Sequence, residues 1–228
     1  ASYTDAEYSN AGGGTEIDAT DGTNTNNGNN TNWDFETGDR YWVAAEASNW
    51  NSAANWAYTA GGMGGAGVPG AGHHVYFTSA YNYTCRIDAN VSVAGLTVEN
   101  GYTATINAAS DNKNFEFSGD VSIDSGATWS KGTGTITLTG AGSGTQGIHF
   151  GGETVEDIVV NDSGAIKNFT GAVTTDSFTL MNGTVQQNAA ITITGNYSQS
   201  NGTFTGGTQT IDINGSYSIS GGSFTSTS

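Results

Sequence analysis

The motif Gly195-Asn196-Tyr197-Ser198 recurs as Gly215-Ser216-Tyr217-Ser218, and Asn201-Gly202-Thr203-Phe204 recurs as Gly221-Gly222-Ser223-Phe224. Both pairs are offset by 20 residues, and the alternating run Ile211-Asp212-Ile213 has its own counterpart 20 residues earlier. A fixed period of this length, with strand alternation and turn dipeptides in each unit, is typical of a β-solenoid. Such a unit cannot bury its own apolar face, so it is stable only when it stacks on a neighbour at the ~4.8 Å spacing of paired strands.

Short apolar-polar-apolar runs continue upstream to residue 91, and no segment shows a helical period. Corresponding strands are spaced by 25 residues from Leu96 to Val121, by about 37 from Val121 to Ile158, and by near 20 thereafter. The long gap holds either an extra rung near Ile148 or a protruding loop. We therefore predict an all-β chain that forms a β-solenoid. A Greek-key β-sandwich is the alternative, because it also contains short alternating strands, but the repeat favours the solenoid.

The composition changes twice along the chain. Residues 1–32 are predicted to form an extended N-terminal arm, residues 33–90 a Trp-rich cap module, and residues 91–228 the solenoid repeats. The arm is rich in Gly, Asn, Thr and Asp, which is typical of flexible linkers. Because its own apolar residues are few, we expect a neighbouring subunit or bound ions to hold it in place.

Charge limits the partners and the compartment. The chain has 21 Asp and Glu against 5 Lys and Arg, a formal net charge of −16, which argues against nucleic acid and anionic lipid as partners. No apolar run is long enough for a membrane span, so no membrane insertion is expected. A start at Ala1-Ser2 without Met favours a removed signal peptide and an extracellular or cell-surface location. The single cysteine, Cys85, cannot form an intrachain disulfide and is expected to be buried on a strand.

Aromatic residues concentrate before the repeats, where Asn49-Trp50 and Asn55-Trp56 precede the turn Val68-Pro69-Gly70-Ala71-Gly72 and the strand His74-Val75-Tyr76-Phe77. This arrangement resembles the N-terminal module of bacterial secreted β-solenoid surface proteins of the autotransporter-passenger and adhesin kind. The match covers roughly residues 41–98. One departure is His73-His74, which stand where acidic residues are usual, so a cation role at this turn does not carry over.

The resemblance implies a cap over the first rung, whose apolar end and unpaired edge would otherwise invite aggregation. Four of the five tryptophans are the candidate cap residues: Trp33, Trp42, Trp50 and Trp56. An aromatic platform for binding sugars is the functional alternative for the same residues.

No constellation in the sequence points to catalysis. Asp34 and Glu36 share a strand face and could form a carboxylate pair, but such a pair is expected by chance in so acidic a chain. The five basic residues are scattered, and nucleophile-elbow, Cys-x-x-Cys and phosphate-loop motifs are absent from the sequence. His73 and His74 are adjacent on a strand and should point to opposite faces, so they are poorly placed to share one metal. We predict that the chain is not an enzyme.

Two kinds of surface site remain as candidates. Hard oxygen ligands on a Gly-punctuated turn are what Ca²⁺ takes, so Ca²⁺ is the one cofactor that the sequence suggests, with the ligands Asp18, Asp21, Asn24 and Asn26. Asn-x-Ser/Thr sequons, which matter only if the producing cell glycosylates secreted proteins, occur at Asn29, Asn82, Asn90, Asn161, Asn168, Asn182, Asn196, Asn201 and Asn214.

The leading functional hypothesis is an extracellular structural protein, a filament or matrix subunit whose main partners are other copies of itself. Head-to-tail assembly would join the arm, with Tyr3 and Tyr8, to the last repeat, with Tyr217 and Phe224. The alternative is an adhesin or phage tail-fibre-like module that binds surface glycans through exposed aromatic residues. A polysaccharide-degrading enzyme is a third hypothesis.

Overall fold

A computed structural model of the chain describes residues 4–12, 17–19, 25–31, 33–34, 38–124, 126–140 and 143–226. These residues form short, mostly parallel β-strands that coil into a β-solenoid of about seven turns. The one helix in the described part is the 3-10 turn Ala53–Asn55. None of the described helical structure is long and apolar enough to cross a membrane. The predicted solenoid is confirmed, and the β-sandwich alternative is wrong.

Each turn of the solenoid places one strand on each of three faces, which we call faces A, B and C in chain order. Face B consists of two four-stranded parallel sheets, with the strands Ser48–Asn49, Cys85–Arg86, Thr105–Asn107 and Thr128–Ser130, then Thr154–Val155, Val173–Thr175, Ile191–Ile193 and Ile211–Ile213. Faces A and C are joined into one sheet because two long strands, Asp157–Phe169 and Phe178–Gln187, run from face C around a corner onto face A.

The remaining strands divide between faces A and C. Those of face A are Asp39–Trp42, His74–Phe77, Gly95–Val98, Val121–Ile123, Gly144–His149, Thr203–Thr205 and Ser223–Thr225, with Trp56–Ala57 antiparallel at the first edge. Those of face C are Val91–Val93, Phe115–Phe117, Thr135–Leu138, Tyr197–Gln199 and Tyr217–Ile219.

The core is built from columns of side chains that point inward at matching positions of successive rungs. One column of face C contains Val91, Phe115, Ile136, Ile158, Phe178, Tyr197 and Tyr217. Strand alternation produces these columns, because every second residue of a three-residue strand points to the same side. Because adjacent turns have the same spacing, residues of the same type stack on each other, as Phe204 and Phe224 do.

The long gap after Val121 contains an additional rung. Val121 pairs with Ile148, which pairs in turn with Phe169, so both lie on face A. Ile158 lies on face C, where it pairs with Ile136. The expected correspondence between Val121 and Ile158 is therefore wrong, and the protruding-loop alternative is not needed.

The described parts of the arm pair with each other in the same parallel manner. Asp5–Ala6 pairs with Thr25–Asn26, Ile17–Asp18 pairs with Trp33–Asp34, and a bridge joins Asn10 and Thr31. The offset from Asp5 to Thr25 is 20 residues, the same as in the C-terminal repeats. The arm thus has the local geometry of a solenoid rung.

Candidate functional site

The last described rung presents a surface that is buried in the rungs before it. Tyr217 is 51% exposed, whereas its stacking equivalent Tyr197 is 0% exposed; Ile219 is 38% exposed, whereas the equivalent Gln199 is 2% exposed. The strands Tyr217–Ile219 and Ser223–Thr225 each pair only with the preceding rung in the described part of the chain. Strand edges and apolar side chains are therefore available together at this end, which we call the terminal rung (residues 211–225).

Aromatic stacking continues up to this surface. The rings of Phe204 and Phe224 lie 4.6 Å apart at 9°, and those of Tyr197 and Tyr217 lie 5.4 Å apart at 17°. Tyr217 and Phe224 meet edge to face at 5.4 Å. A further rung placed on this end would extend these stacks, because ring contacts of both kinds are favourable.

The arm provides the other half of the predicted assembly site. Asn30 links the two paired segments of the arm. The Asn30 Nδ2 donates to the Ala6 carbonyl at 2.8 Å, and the Asn30 Oδ1 accepts from the Ser9 amide at 2.9 Å. The indole of Trp33 donates to the Ser9 hydroxyl at 3.0 Å. Tyr8 is 74% exposed and has a φ of 50°. Tyr3, the other predicted assembly residue of the arm, lies outside the described residues.

Three of the four predicted cap tryptophans lie together against the first rung of face A. The ring of Trp56 contacts those of Trp42 at 5.1 Å, Trp50 at 4.6 Å and Phe77 at 5.9 Å, all near edge to face. The three tryptophans are at most 3% exposed. Trp33 is placed apart from them, in the arm. A sugar platform built from the first three is wrong, because their rings are not accessible.

Two half-buried tyrosines, Tyr41 and Tyr76, lie on the outer side of face A. Tyr41 and Tyr76 stack at 4.8 Å and 12°, and the imidazole of His74 lies 4.7 Å from the Tyr76 ring. The His74 Nε2 is hydrogen-bonded to Thr97 Oγ1 at 2.8 Å, and burial lowers the pKa of this imidazole. We call Tyr41, His74, Tyr76 and Thr97 the face A strip. His73 does not join it, because its Nδ1 accepts from the Gly70 amide at 2.8 Å.

Further along face A the outer surface is a shallow depression with acidic and hydroxyl groups. Asp120, Ser122, Asp124, His149 and Thr170 line it. The Asp120 carboxylate accepts from the Gly147 amide of the next rung at 2.8 Å. Stacked carboxylates and hydroxyls at rung spacing offer hydrogen-bond partners to a polar ligand that runs along the axis.

The predicted Ca²⁺ ligands are only partly described. Asp21 and Asn24 lie outside the described residues. Asp18 lies on a strand paired with Trp33–Asp34, and Asn26 lies on a strand paired with Asp5–Ala6, so their backbones belong to two different sheets. Of the carboxylates Asp34 and Glu36, a pair expected by chance in so acidic a chain, Glu36 also lies outside the described residues. Among described residues, groups of three or more His, Cys, Asp or Glu side chains suited to a metal are absent.

The sequon asparagines differ in accessibility. Asn168 and Asn182 are half-buried, and the other seven are exposed: Asn29, Asn82, Asn90, Asn161, Asn196, Asn201 and Asn214. Several stabilise the coil, since Asn182 Nδ2 donates to Asn161 Oδ1 at 2.9 Å and Asn201 Nδ2 donates to Asn182 Oδ1 at 3.1 Å. A glycan on Asn182 would replace one of the two hydrogens on the amide nitrogen that donates in this ladder.

A buried polar cluster was not predicted from the sequence. Lys167 is 0% exposed and its Nζ donates to the carboxylate of Asp162, to the Gln146 Oε1 and, at 2.7 Å, to the Thr139 carbonyl. Burial lowers the pKa of the Lys167 amine, and the hydrogen bond from Lys167 lowers the pKa of Asp162 against the opposing effect of its own burial. We call Gln146, Asp162 and Lys167 the buried triad.

Two other buried ionisable groups belong to the core. Glu156 is 0% exposed, and its carboxylate accepts from the Trp129 indole at 2.8 Å and from the Gly132 amide at 2.7 Å. Burial nevertheless raises the pKa of Glu156. Cys85 is buried and free, as predicted, and burial raises the pKa of its thiol.

Comparisons of this chain with protein-family models, with curated proteins and with solved structures find no match. The resemblance to bacterial secreted surface proteins therefore stays a prediction. Function is argued below from the terminal rung, the arm and face A.

Proposed function

We propose that the chain is a non-enzymatic structural protein of the cell exterior whose copies assemble head to tail by stacking one rung on another. The observation that carries this proposal is the terminal rung, where Tyr217 and Ile219 are exposed at positions whose equivalents are buried one turn earlier. Covering a large apolar side chain contributes about 1.5–3 kcal/mol. The free strand edges add main-chain hydrogen bonds that bind a further parallel strand.

The arm is the proposed donor of that strand. One of its parallel pairs, Asp5 with Thr25, has an offset of 20 residues, the offset that separates Ile191 from Ile211 in the last repeats. A segment with this period matches the geometry of the edge that it would extend. Donor and acceptor surfaces differ, so the contact is heterologous and generates an open filament unless the rotation closes a ring.

Substitutions at the exposed acceptor positions test this proposal. The double variant Tyr217→Lys/Ile219→Lys should remain folded and monomeric, because two ammonium groups cannot be buried under another rung. Ser218→Lys is the control, since it adds one ammonium group on the outer side of the same strand. In sedimentation velocity, the unmodified chain and Ser218→Lys should form assemblies, whereas the double variant should remain monomeric. Assembly of the double variant at the concentration required by the unmodified chain would refute the role of this surface.

A second candidate function is glycan binding, and the face A strip supports it. The stacked, half-buried rings of Tyr41 and Tyr76 would contact the apolar side of a sugar. The depression around Asp120 and Asp124 offers hydrogen-bond acceptors further along the same face. The ligand would be an extended surface polysaccharide running parallel to the axis. Binding of the unmodified chain to a glycan array, with at least a tenfold loss in Tyr76→Ala, is expected for this function; equal binding by the variant would reject the strip as the site.

A further inference from the structure

The buried triad joins two neighbouring turns of the coil. Gln146 and Lys167 are register partners on adjacent strands of face A, and both side chains point inward. The same inward column continues through Val185, Phe204 and Phe224, so Lys167 occupies a position that is apolar in every later turn. A lysine in such a column is costly unless its amine has a specific use or partner.

The surrounding backbone holds the other two groups against that amine. Asp162, at the corner between faces C and A, accepts from the Gly164 amide at 2.7 Å and from the Ala165 amide at 3.2 Å. Gln146 Nε2 donates to the Ser118 carbonyl of the preceding rung, which turns its Oε1 towards Lys167. The Lys167 amine is therefore in contact with both a carboxamide and a carboxyl group, and all three side chains are buried.

This arrangement favours reaction between the amine and the carboxamide. Holding two groups in contact replaces a bimolecular encounter by an intramolecular one, for which effective concentrations reach about 10⁵–10⁸ M in well-oriented cases. Burial disfavours the charged ammonium, so the nucleophilic neutral amine is more accessible than at the surface. A carboxyl group in contact with the amine can accept one proton and deliver another, as general acid–base catalysis requires.

We propose that Lys167 and Gln146 form an intramolecular amide bond, with Asp162 as the proton shuttle. The Asp162 carboxylate accepts a proton from the Lys167 ammonium, and the neutral Nζ attacks Gln146 Cδ to give a tetrahedral intermediate. Asp162 then delivers that proton to Nε2 of Gln146, the Cδ–Nε2 bond breaks and ammonia leaves. The Asp162 carboxylate takes the second proton that Nζ loses, so a neutral Cδ–Nζ amide remains. No oxidant, reductant or further reactant is consumed. The product links two adjacent turns covalently.

Intact-mass spectrometry of the purified full chain, denatured before injection, tests the proposal directly. The expected mass is lower than the sequence mass by one ammonia, and proteolysis should release a branched peptide that contains residues 146 and 167. Lys167→Met and Gln146→Met should each have the full mass of their sequences, and Asp162→Asn should form the bond at least tenfold more slowly. A full-length mass without loss in the unmodified chain would overturn the proposal, whether or not the variants fold. Loss of one water instead would place the bond on Asp162 and overturn the assignment to Gln146.

Discussion

Removal of the Trp56 side chain is the most informative perturbation of the Trp-rich segment. Trp56 is 0% exposed, meets three aromatic rings near edge to face, and donates its indole N–H to the Trp50 carbonyl at 2.8 Å. If these contacts cap the first rung, Trp56→Ala should open a cavity at that end and destabilise the rungs that follow. Trp56→Phe keeps an aromatic ring there but removes the hydrogen-bond donor.

The expected loss of stability follows from the burial of the Trp56 side chain and from its hydrogen bond to the Trp50 carbonyl. Truncation of a fully buried tryptophan to alanine costs about 3–5 kcal/mol, and leaving a buried acceptor without its donor costs about 1–3 kcal/mol. We expect Trp56→Ala to lower the free energy of unfolding by about 5 kcal/mol and Trp56→Phe by about 2 kcal/mol. Trp33→Ala is the matched control, because Trp33 is half-buried in the arm and should cost under ~1.5 kcal/mol.

Urea denaturation followed by circular dichroism measures these differences. The midpoint should shift strongly for Trp56→Ala and little for Trp33→Ala, and an unchanged slope would show that the same surface is exposed on unfolding. A loss below about 1 kcal/mol for Trp56→Ala, or equal losses for the two tryptophans, would refute the cap role derived from the packing.

Three further predictions concern the arm, a turn and a surface ion pair. If the arm, with Asp18, binds Ca²⁺, EDTA should lower the melting temperature, since a ligand held only by the folded state stabilises it; an unchanged temperature would remove the cation. Gly183→Ala should lower the free energy of unfolding by about 1–3 kcal/mol more than Gly152→Ala does. Both glycines have positive φ, but a Cβ at residue 183 would lie 1.9 Å from a backbone oxygen, whereas one at residue 152 would meet open space. Equal urea midpoints for the two variants would contradict this prediction. The hydrogen bond from Lys131 lowers the pKa of Asp176 in the folded state. The pair therefore stabilises the fold above the unfolded-state pKa of Asp176, and this stabilisation is lost as the pH falls through the folded-state pKa. Asp176→Asn should lower the free energy of unfolding by under ~1 kcal/mol at neutral pH and not at all in strong acid, and a loss that is independent of pH would reject the pair.

The solenoid was predictable where the turns are regular. From Ile191 onwards each turn repeats at 20 residues, so equivalent residues stack in register and the period is visible in the sequence. Upstream, the corners vary in length and the strands range from two to thirteen residues, so an apolar-polar-apolar run does not reveal its face. That is why Ile158 was aligned with Val121 although the two lie on different faces.

The candidate sites were predictable to different degrees. The stacking of Tyr217 on Tyr197 follows from the 20-residue period, which the sequence reveals directly. The sequence suggests the tryptophans as the sugar platform, but their larger apolar surface draws Trp42, Trp50 and Trp56 into the core. Tyr41 and Tyr76 remain half-buried on the outer side of face A. Gln146 and Lys167 contact each other because they are register partners on neighbouring strands. The sequence reveals this register only when the irregular turns are correctly aligned, and no local motif marks the contact.

The central claim is that copies of the chain join through the arm and the terminal rung, and electron microscopy tests it most directly. The full chain and a chain lacking residues 1–32 should be imaged at equal concentration, with circular dichroism to establish that both are folded. The account predicts filaments that grow along the solenoid axis for the full chain and folded monomers for the deletion variant. Filaments of the same width and repeat from the deletion variant would contradict it, because assembly would then proceed without the proposed donor.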